Sequence, residues 1–303
     1  MLAGVISFVL VAFVVALLLL VSPQDSAPYP EGFTWEKYST DGLVPRQWSV
    51  GVPDNAGDEP LPAIVTLHPL GGNRSGWVGE TDLDALARQQ GFVLVVPQGL
   101  WGMWNTGECC GPAAALGVDD VGFLDEVMAD TAARPDVDPD RIYMAGLSNG
   151  GLMTTRYLCE GEHMPAAAAS VAVIPWSLEG CDGSVPLLMS VGTEDELFPM
   201  AGGRTLLGTL ASGRTSRSWS EATDELVEIW QCTGDPEVVS FELWSRPQEP
   251  TTGWERSDHE DCTSPLRLTV VDAVPHTWLW GGDWSHTREV LDFFEHSKVE
   301  PQA

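Results

Sequence analysis

The feature that most constrains this chain is a Gly-x-Ser-x-Gly pattern at residues 146–150, directly after an apolar run. Residues 141–147 have the character of a short buried strand, and residues 152–158 can continue as a helix. A nucleophile elbow requires this setting, because its serine hydroxyl points out of a sharp turn between strand and helix. Glycines at the flanking positions remove the Cβ atoms that would clash in so tight a bend. We therefore predict that Ser148 is a nucleophile.

Short apolar segments alternate with helical ones along most of the chain. The strands are predicted at residues 46–52, 61–68, 92–97, 141–147, 168–174, 186–191 and 266–272, and helices at 82–90, 119–133 and 287–296. Apart from the first, which alternates like an outer strand, these strands are apolar throughout, so both faces of the sheet must be covered. The pattern predicts an α/β fold with a mostly parallel central sheet and helices on both faces. The site is expected at the carboxyl ends of the strands.

The two ends of the chain differ from its middle. Residues 1–21 carry no charged side chain and are long enough to span a bilayer, since about 20 apolar residues suffice. Residues 1–22 are therefore predicted to be a signal peptide or an N-terminal membrane anchor, with a buried core helix as the remaining alternative. The other divisions are a linker over 23–40, a catalytic domain over 41–298, within which 201–262 forms a cap of helices and loops, and a tail over 299–303.

Charge and cysteine content limit which binding partners, cellular compartment and cofactors we expect. Forty-four acidic residues against 15 basic ones give a net charge of -29, which repels nucleic acid, phosphorylated substrates and anionic membrane surfaces. Six cysteines, an even count, suit an oxidising compartment outside the cytoplasm, although the count leaves their pairing open. No Cys-x-x-Cys or His-x-x-x-His spacing occurs, so we expect no metal and no cofactor. We expect a monomer that is secreted or held by the N-terminal segment.

Two further groups complete a catalytic triad in the order serine, acid, histidine. Asp195 follows the strand at 186–191, with Glu194 as its neighbouring rival, and His276 follows the last predicted strand. His276 would act as the general base toward Ser148, and Asp195 would orient its imidazole. His68 is predicted to be a structural hydrogen-bonding residue. The remaining histidines are expected at the surface: His163, His259, His286 and His296.

The same end of the sheet would supply the rest of the site. The backbone N–H groups of Leu70 and Asn149 are the candidates for an oxyanion hole, because each lies in a loop directly after a strand that reaches the site. Trp101, Trp104 and Trp278 lie on loops at the expected catalytic end, where flat indoles could hold an aromatic group or a polymer chain. Ordinary packing is the alternative for each indole.

The chain resembles secreted α/β-hydrolase esterases of the polyhydroxybutyrate depolymerase and feruloyl esterase group. The resemblance rests on residues 67–73, 104–105, 109–112, 118–123, 137–143, 146–151, 192–195 with Pro199, and 276–278. It implies Ser148, Asp195 and His276 as the triad and Leu70 and Asn149 as oxyanion donors. It also implies three disulfides: Cys159 with Cys181, Cys232 with Cys262 and, by remainder, Cys109 with Cys110.

The resemblance also has departures and functional consequences. Pro69 replaces a glycine that usually follows the histidine in this group, and Val274-Pro275 replaces the glycine pair before the catalytic histidine. The group implies a serine carboxylic-ester hydrolase acting on polyester or feruloyl-type esters. A serine peptidase on the same fold and a non-catalytic surface binding module are the alternatives.

Overall fold

The computed structural model describes residues 28–41, 44–107, 109–204, 215–243, 252–280 and 284–297. The predicted signal peptide or anchor at 1–22 and the tail at 299–303 lie outside these ranges. Across the described ranges, no helix combines the length and the apolar character needed to cross a membrane.

A ten-stranded sheet organises the described residues, in the order β1-β2-β4-β3-β5-β6-β7-β10-β9-β8. Its strands are β1 Phe33–Ser39, β2 Gln47–Pro53, β3 Leu61–Leu67, β4 Val93–Pro97, β5 Val137–Leu147, β6 Ala168–Val171, β7 Leu187–Gly192, β8 Glu237–Leu243, β9 Thr252–His259 and β10 Leu266–Val271. Six neighbouring strands at the centre of the sheet run parallel: β4, β3, β5, β6, β7 and β10. The outer strands on both sides are antiparallel. The predicted α/β fold with a mostly parallel sheet is confirmed.

Helices cover both faces of the sheet. They are α1 Arg74–Gly79, α2 Leu83–Gln90, α3 Gly111–Ala115, α4 Asp120–Ala132, α5 Asn149–Glu160, α6 Trp219–Ile229 and α7 His286–His296. One buried apolar cluster joins the sheet to α4, α5 and α6, and a second joins the opposite face to α1, α2 and α7. Successive residues of β3 alternate between the clusters, Ala63 and Val65 to one and Ile64 to the other. Both faces of a central strand are therefore buried, as its unbroken apolar sequence requires.

The structure contradicts the prediction made from the sequence in two segments. The predicted linker at 23–40 is wrong for its second half, because β1 pairs antiparallel with β2. The predicted cap of helices and loops at 201–262 is wrong for β8 and β9, which extend the sheet beyond β10. β1 and β8 form the two open edges of the sheet and β9 lies between β8 and β10, and in these strands backbone pairing compensates for weak apolar character.

Three disulfides connect the described elements. Cys159 at the end of α5 is bonded to Cys181, Cys232 after α6 is bonded to Cys262, and the adjacent Cys109 and Cys110 are bonded to each other. These are the pairs that the resemblance implies. No cysteine in the described ranges is left free, which suits an oxidising compartment.

Candidate active site

The nucleophile elbow forms between β5 and α5. Ser148 has φ 56° and ψ −121°, a backbone conformation that residues other than glycine rarely adopt. A Cβ at Gly150 would overlap the carbonyl oxygen of Leu67, and one at Gly146 would overlap that of Gly150. The flanking glycines are therefore required by close backbone contacts, which hold Ser148 in its strained conformation.

The structure brings together the three residues predicted as a triad. Ser148 Oγ lies 2.7 Å from His276 Nε2, and His276 Nδ1 lies 2.7 Å from Asp195 Oδ2. Because a carboxylate only accepts, Nδ1–H donates to Asp195 and leaves Nε2 free to accept the serine proton. The Asp195 carboxylate is fully buried, and its Oδ1 accepts from the backbone N–H groups of Leu197 and Phe198, each at 2.8 Å. The acid is thus held in one orientation.

Contacts between two loops align the acid and the base. β7 and β10 are neighbouring parallel strands, so the loops that follow them leave the same edge of the sheet. A Cβ at Gly192 would overlap the carbonyl oxygen of Val274, and that oxygen also accepts from Glu194 N–H at 3.0 Å. Glu194 itself is exposed, whereas Asp195 points inward, and this decides between the two adjacent acids.

The two predicted oxyanion donors lie on constrained backbone. Asn149 is the first residue of α5, where a helix cannot satisfy its own N–H. Its side-chain amide accepts from Trp104 N–H at 2.7 Å and donates to Trp104 O at 3.0 Å. The turn that carries Leu70 is closed by the hydrogen bond from Gly72 N–H to Pro69 O at 2.9 Å, and Gly71 N–H donates to Gly102 O in the neighbouring loop at 2.7 Å. Neighbouring loops thus support both residues, and their role as donors stays a prediction.

His68 forms hydrogen bonds that hold the turn carrying Leu70. It is completely buried, and its Nε2 accepts from Gly99 N–H at 2.9 Å, while Nδ1–H donates to Pro69 O at 2.8 Å. Burial lowers the pKa of His68 to about 4, so the ring is neutral at physiological pH. This is the structural hydrogen-bonding role that the sequence predicts.

His286 corrects an expectation. The sequence predicts a surface position, but the ring is buried, with Nδ1 accepting from Leu279 N–H at 2.8 Å and Nε2–H donating to Ser190 Oγ at 3.1 Å. Burial lowers its pKa to about 3. His286 therefore anchors the segment after His276 to β7 in its neutral form. His163 and His296 are exposed, as expected.

Two of the three predicted substrate-binding tryptophans are part of the core. Trp104 is fully buried and its indole N–H donates to His68 O at 3.0 Å. Trp278 is 4% exposed, donates to Thr287 Oγ1 at 2.9 Å and packs edge-on against Trp77. The prediction is wrong for both, because neither indole has a free face for a substrate. Trp101, partly exposed on the turn Leu100–Gly102, stays a candidate.

A pair of rings beside the triad was missed from the sequence. The Phe198 ring stacks against His276 with centroids 5.7 Å apart, and the centroids of the Trp176 and Phe198 rings are also 5.7 Å apart. Trp176 follows β6 at the carboxyl edge of the sheet. The rule that located Asp195, a residue in a loop after a parallel strand, would also have located Trp176.

Comparison with known proteins adds to this geometry. No family model matches the chain. Among solved structures, the acetyl xylan esterase from Aspergillus awamori superposes with a TM-score of 0.60 at 16% identity, over 86% of this chain and 99% of that one. The chain has the α/β-hydrolase fold. The elbow and the parallel centre of the sheet are the parts of that fold that carry the site.

Proteins of similar sequence are also named as esterases. Feruloyl esterase B from Piromyces equi is 30% identical over 59% of this chain, but the match spans only 34% of that protein's length. A putative esterase from Nocardia uniformis subsp. tsuyamanensis is 29% identical over 74% of this chain and 67% of that protein. The resemblance to α/β-hydrolase esterases is confirmed.

Proposed function

We propose that this protein hydrolyses carboxylic esters outside the cytoplasm through an acyl-enzyme on Ser148. The observation that carries the proposal is the continuous hydrogen-bonded chain from Ser148 Oγ through His276 to the buried Asp195. A binding module that has lost its chemistry has no need to keep this arrangement, which costs backbone strain at Ser148.

The reaction proceeds in two halves. His276 Nε2 takes the proton of Ser148 as Oγ attacks the acyl carbon, and the tetrahedral oxyanion accepts hydrogen bonds from the N–H groups of Leu70 and Asn149. His276 then returns the proton to the leaving alkoxide, the ester C–O bond breaks and the alcohol departs. In the second half water attacks the acyl carbon and gives a proton to His276, which passes it to Ser148 Oγ as the bond between Oγ and the acyl carbon breaks and the acid departs. Asp195 accepts from His276 Nδ1–H and stabilises the imidazolium each time it forms.

Feruloyl-type esters are the substrates we favour within the ester class. The name of the Piromyces equi relative supports them, since that protein is a feruloyl esterase. Polyester is the alternative that the sequence raised, and nothing at the site favours it. The strong negative charge of the chain disfavours retention of an acid product, which is compatible with turnover of either substrate.

The proposed location rests on two features of the chain. Three disulfides are typical of proteins from oxidising compartments. The uncharged N-terminal residues 1–21 supply an export signal, either cleaved or kept as an anchor.

Hydrolysis of p-nitrophenyl butyrate by wild type and by Ser148→Ala tests the proposal. We expect the substitution to lower kcat by at least about 10⁴-fold, since removal of the nucleophile disables the whole triad. Ser39→Ala, an exposed serine on β1, is the matched control and should retain full activity. A second panel of methyl ferulate and polyhydroxybutyrate film separates the two substrate classes.

Three outcomes would contradict the proposal. Turnover that survives Ser148→Ala would remove Ser148 as the nucleophile. A wild type that turns over no ester but cleaves peptides would make the protein a peptidase. A wild type without turnover of esters or peptides would favour a binding module.

A further inference from the structure

The segment that carries the general base is short and is held at its two ends. Residues 274–279 form this segment, named the base segment below. Val274 and Trp278 in it are buried, and His276 is half-buried between them. Val274 O accepts from Glu194 N–H at 3.0 Å, which fixes the first end to the loop that carries the acid. The position of the imidazole therefore depends on what holds the second end.

His286, the first residue of α7, holds the second end through both backbone groups of Leu279. Leu279 N–H donates to His286 Nδ1 at 2.8 Å, and His286 N–H donates to Leu279 O at 3.0 Å. One residue earlier, the Trp278 indole N–H donates to Thr287 Oγ1 at 2.9 Å. Hydrogen bonds to two consecutive residues of α7 thus close the base segment onto this helix.

The other nitrogen of the His286 ring reaches the strand that leads to the acid. Nε2–H donates to Ser190 Oγ at 3.1 Å, and Ser190 is completely buried on β7, the strand that ends shortly before Asp195. β7 also pairs with β10, which the base segment follows. One imidazole therefore joins the base segment to the strand of the catalytic acid.

Only the neutral form of His286 with its proton on Nε2 satisfies both contacts. A backbone N–H can only donate, so Nδ1 must be the unprotonated nitrogen and Nε2 must carry the proton. The ring is 2% exposed and packs against the indoles of Trp278 and Trp284, at centroid distances of 5.7 and 4.9 Å. Burial lowers the pKa of His286 to about 3, so this form persists through the physiological pH range.

Loss of this link would leave the sheet intact and displace the base. β10 pairs with β7 and β9 ahead of the base segment, so the strands keep their register when the second end is released. His276 Nε2 lies 2.7 Å from Ser148 Oγ, and a misplacement of about 1 Å can lower a rate about 100-fold. The His286 ring is buried and cannot contact a substrate, so its removal should lower kcat and leave KM nearly unchanged.

We propose that His286 is a positioning residue for the general base, acting through the contact of its Nδ1 with Leu279. The proposal rests on the proposed ester hydrolase function and deepens it, because it names a histidine outside the triad on which the alignment of His276 depends. His286 exchanges no proton in the reaction, since its two nitrogens keep the same proton and the same partners throughout.

Asparagine and glutamine at position 286 separate the two contacts of the ring. In His286→Asn the amide oxygen takes the place of Nδ1 and can accept from Leu279 N–H, but the contact with Ser190 is lost. In His286→Gln the amide nitrogen takes the place of Nε2 and can donate to Ser190, but the contact with Leu279 is lost. We expect kcat on p-nitrophenyl butyrate to fall about 30-fold in His286→Gln and at most about fivefold in His286→Asn, with KM within about twofold of wild type.

Urea denaturation shows whether a general loss of stability explains the kinetics. His286→Asn should unfold at a urea concentration no higher than His286→Gln does, because asparagine is the smaller side chain and leaves the larger cavity. A purely structural role would then make His286→Asn the less active variant, which is the reverse of our expectation.

A second pair of variants tests the link without changing His286. Thr287→Val removes the acceptor of the Trp278 indole and keeps a side chain of similar size. Thr131→Val is the matched control, since Thr131 is as deeply buried and its hydroxyl donates within its own helix, α4, to Val127 O at 2.7 Å. We expect kcat to fall about fivefold in Thr287→Val and to stay unchanged in Thr131→Val, although each loses a buried hydroxyl.

Labelling of Ser148 by a fluorophosphonate provides a readout that needs no ester. Oγ attacks phosphorus, the P–F bond breaks, fluoride leaves, and His276 accepts the serine proton, so the rate depends on the same alignment. We expect the labelling rate, followed by mass spectrometry, to fall in the same order as kcat.

The outcomes distinguish this inference from the proposed function. A loss of kcat in His286→Asn that equals or exceeds the loss in His286→Gln would overturn the role of the Leu279 contact while leaving ester hydrolysis intact. Equal kcat and labelling rates in Thr287→Val and Thr131→Val would likewise show that closing the base segment onto α7 does not align the base. Ester turnover that persists in Ser148→Ala would instead overturn the proposed function, whatever the variants of His286 show.

Discussion

Two regions of the sheet are built from different kinds of sequence. The centre consists of the parallel strands β4, β3, β5, β6, β7 and β10, and the edge consists of the antiparallel strands β9 and β8. In the centre, every residue of β7 is buried, and β10 is buried at all but one position. At the edge, β9 reads Thr-Gly-Trp-Glu-Arg-Ser-Asp-His, and its neighbour β8 exposes 54% of both Val238 and Phe241. Apolar packing on two faces holds the centre, whereas backbone pairing and side-chain ion pairs hold the edge.

This difference explains where the catalytic groups lie. Ser148, Asp195 and His276 each follow a strand of the centre, where neighbouring backbones leave no room for movement. At the edge, Arg267 on β10 reaches Asp258 on β9 at 2.6 Å and Asp292 on α7 at 2.8 Å. Such ion pairs fix a strand but tolerate small shifts, and a catalytic triad does not.

A methyl group added at equivalent glycines should have its largest effect in the centre. In Gly192→Ala the new Cβ would overlap Val274 O, and separating the two loops would move His276 away from Asp195. We expect kcat on p-nitrophenyl butyrate to fall about 100-fold and the free energy of unfolding to drop by about 2 to 3 kcal/mol. Steady-state kinetics and urea denaturation measure these effects.

Gly253→Ala at the edge is the matched control. Its Cβ would lie 3.1 Å from Phe241 O, a contact that a small shift of β8 can relieve. We expect a change of about 0.5 kcal/mol or less and unchanged kcat. If the two alanine variants lose equal activity, the rigid centre is not what aligns the triad.

The sequence predicts the centre well because one physical rule governs it. A strand buried on both faces must be apolar throughout, and a turn as tight as that at Ser148 must be flanked by glycine. The chain order of Ser148, Asp195 and His276 then follows from strand order, and the structure brings the three together. What a side chain such as Trp104 contacts is set by distant segments, so a tryptophan in a loop can be a core residue.

The edges are harder to predict for a related reason. β1 contains Glu36 and Lys37, and β9 contains Glu255, Arg256 and Asp258, so neither strand has the apolar composition of the central ones. Within β9, Arg256 pairs with Asp258, and Asp258 also pairs with Arg267, which lies opposite it on β10. Pairs between strands are not visible in either strand alone.

Acid should destabilise the centre through its buried histidines. His286 has a folded-state pKa of about 3 against 6.5 when exposed, because burial disfavours the charged ring. Between these values the unfolded state binds a proton that the native state excludes, so stability falls as the pH drops below 6.5. At pH 4.5 the loss should be about 3 kcal/mol.

The slope of stability against pH measures this loss independently of any constant cost of substitution. His286→Gln should flatten the slope between pH 6.5 and 4.5 by about one proton. His259, half-buried on β9, also has its pKa lowered by burial, but water still reaches it, so His259→Gln should change the slope much less. A larger change for His259 would contradict the contrast between centre and edge.

The smallest effect is expected where the same kind of ring stack occurs at the edge. Phe241 stacks on Trp254 with centroids 4.9 Å apart, and Phe294 stacks on Tyr143 at 4.6 Å, but Phe241 is 54% exposed and Phe294 is fully buried. Phe241→Ser should cost about 0.5 kcal/mol and leave kcat/KM unchanged, since mostly the stack itself is lost. Phe294→Ser should cost more than about 3 kcal/mol, because it leaves a cavity and a buried hydroxyl. Urea denaturation of the two variants compares them directly: equal costs would mean that packing, rather than strand pairing, holds the edge, and the distinction between the two regions would fail.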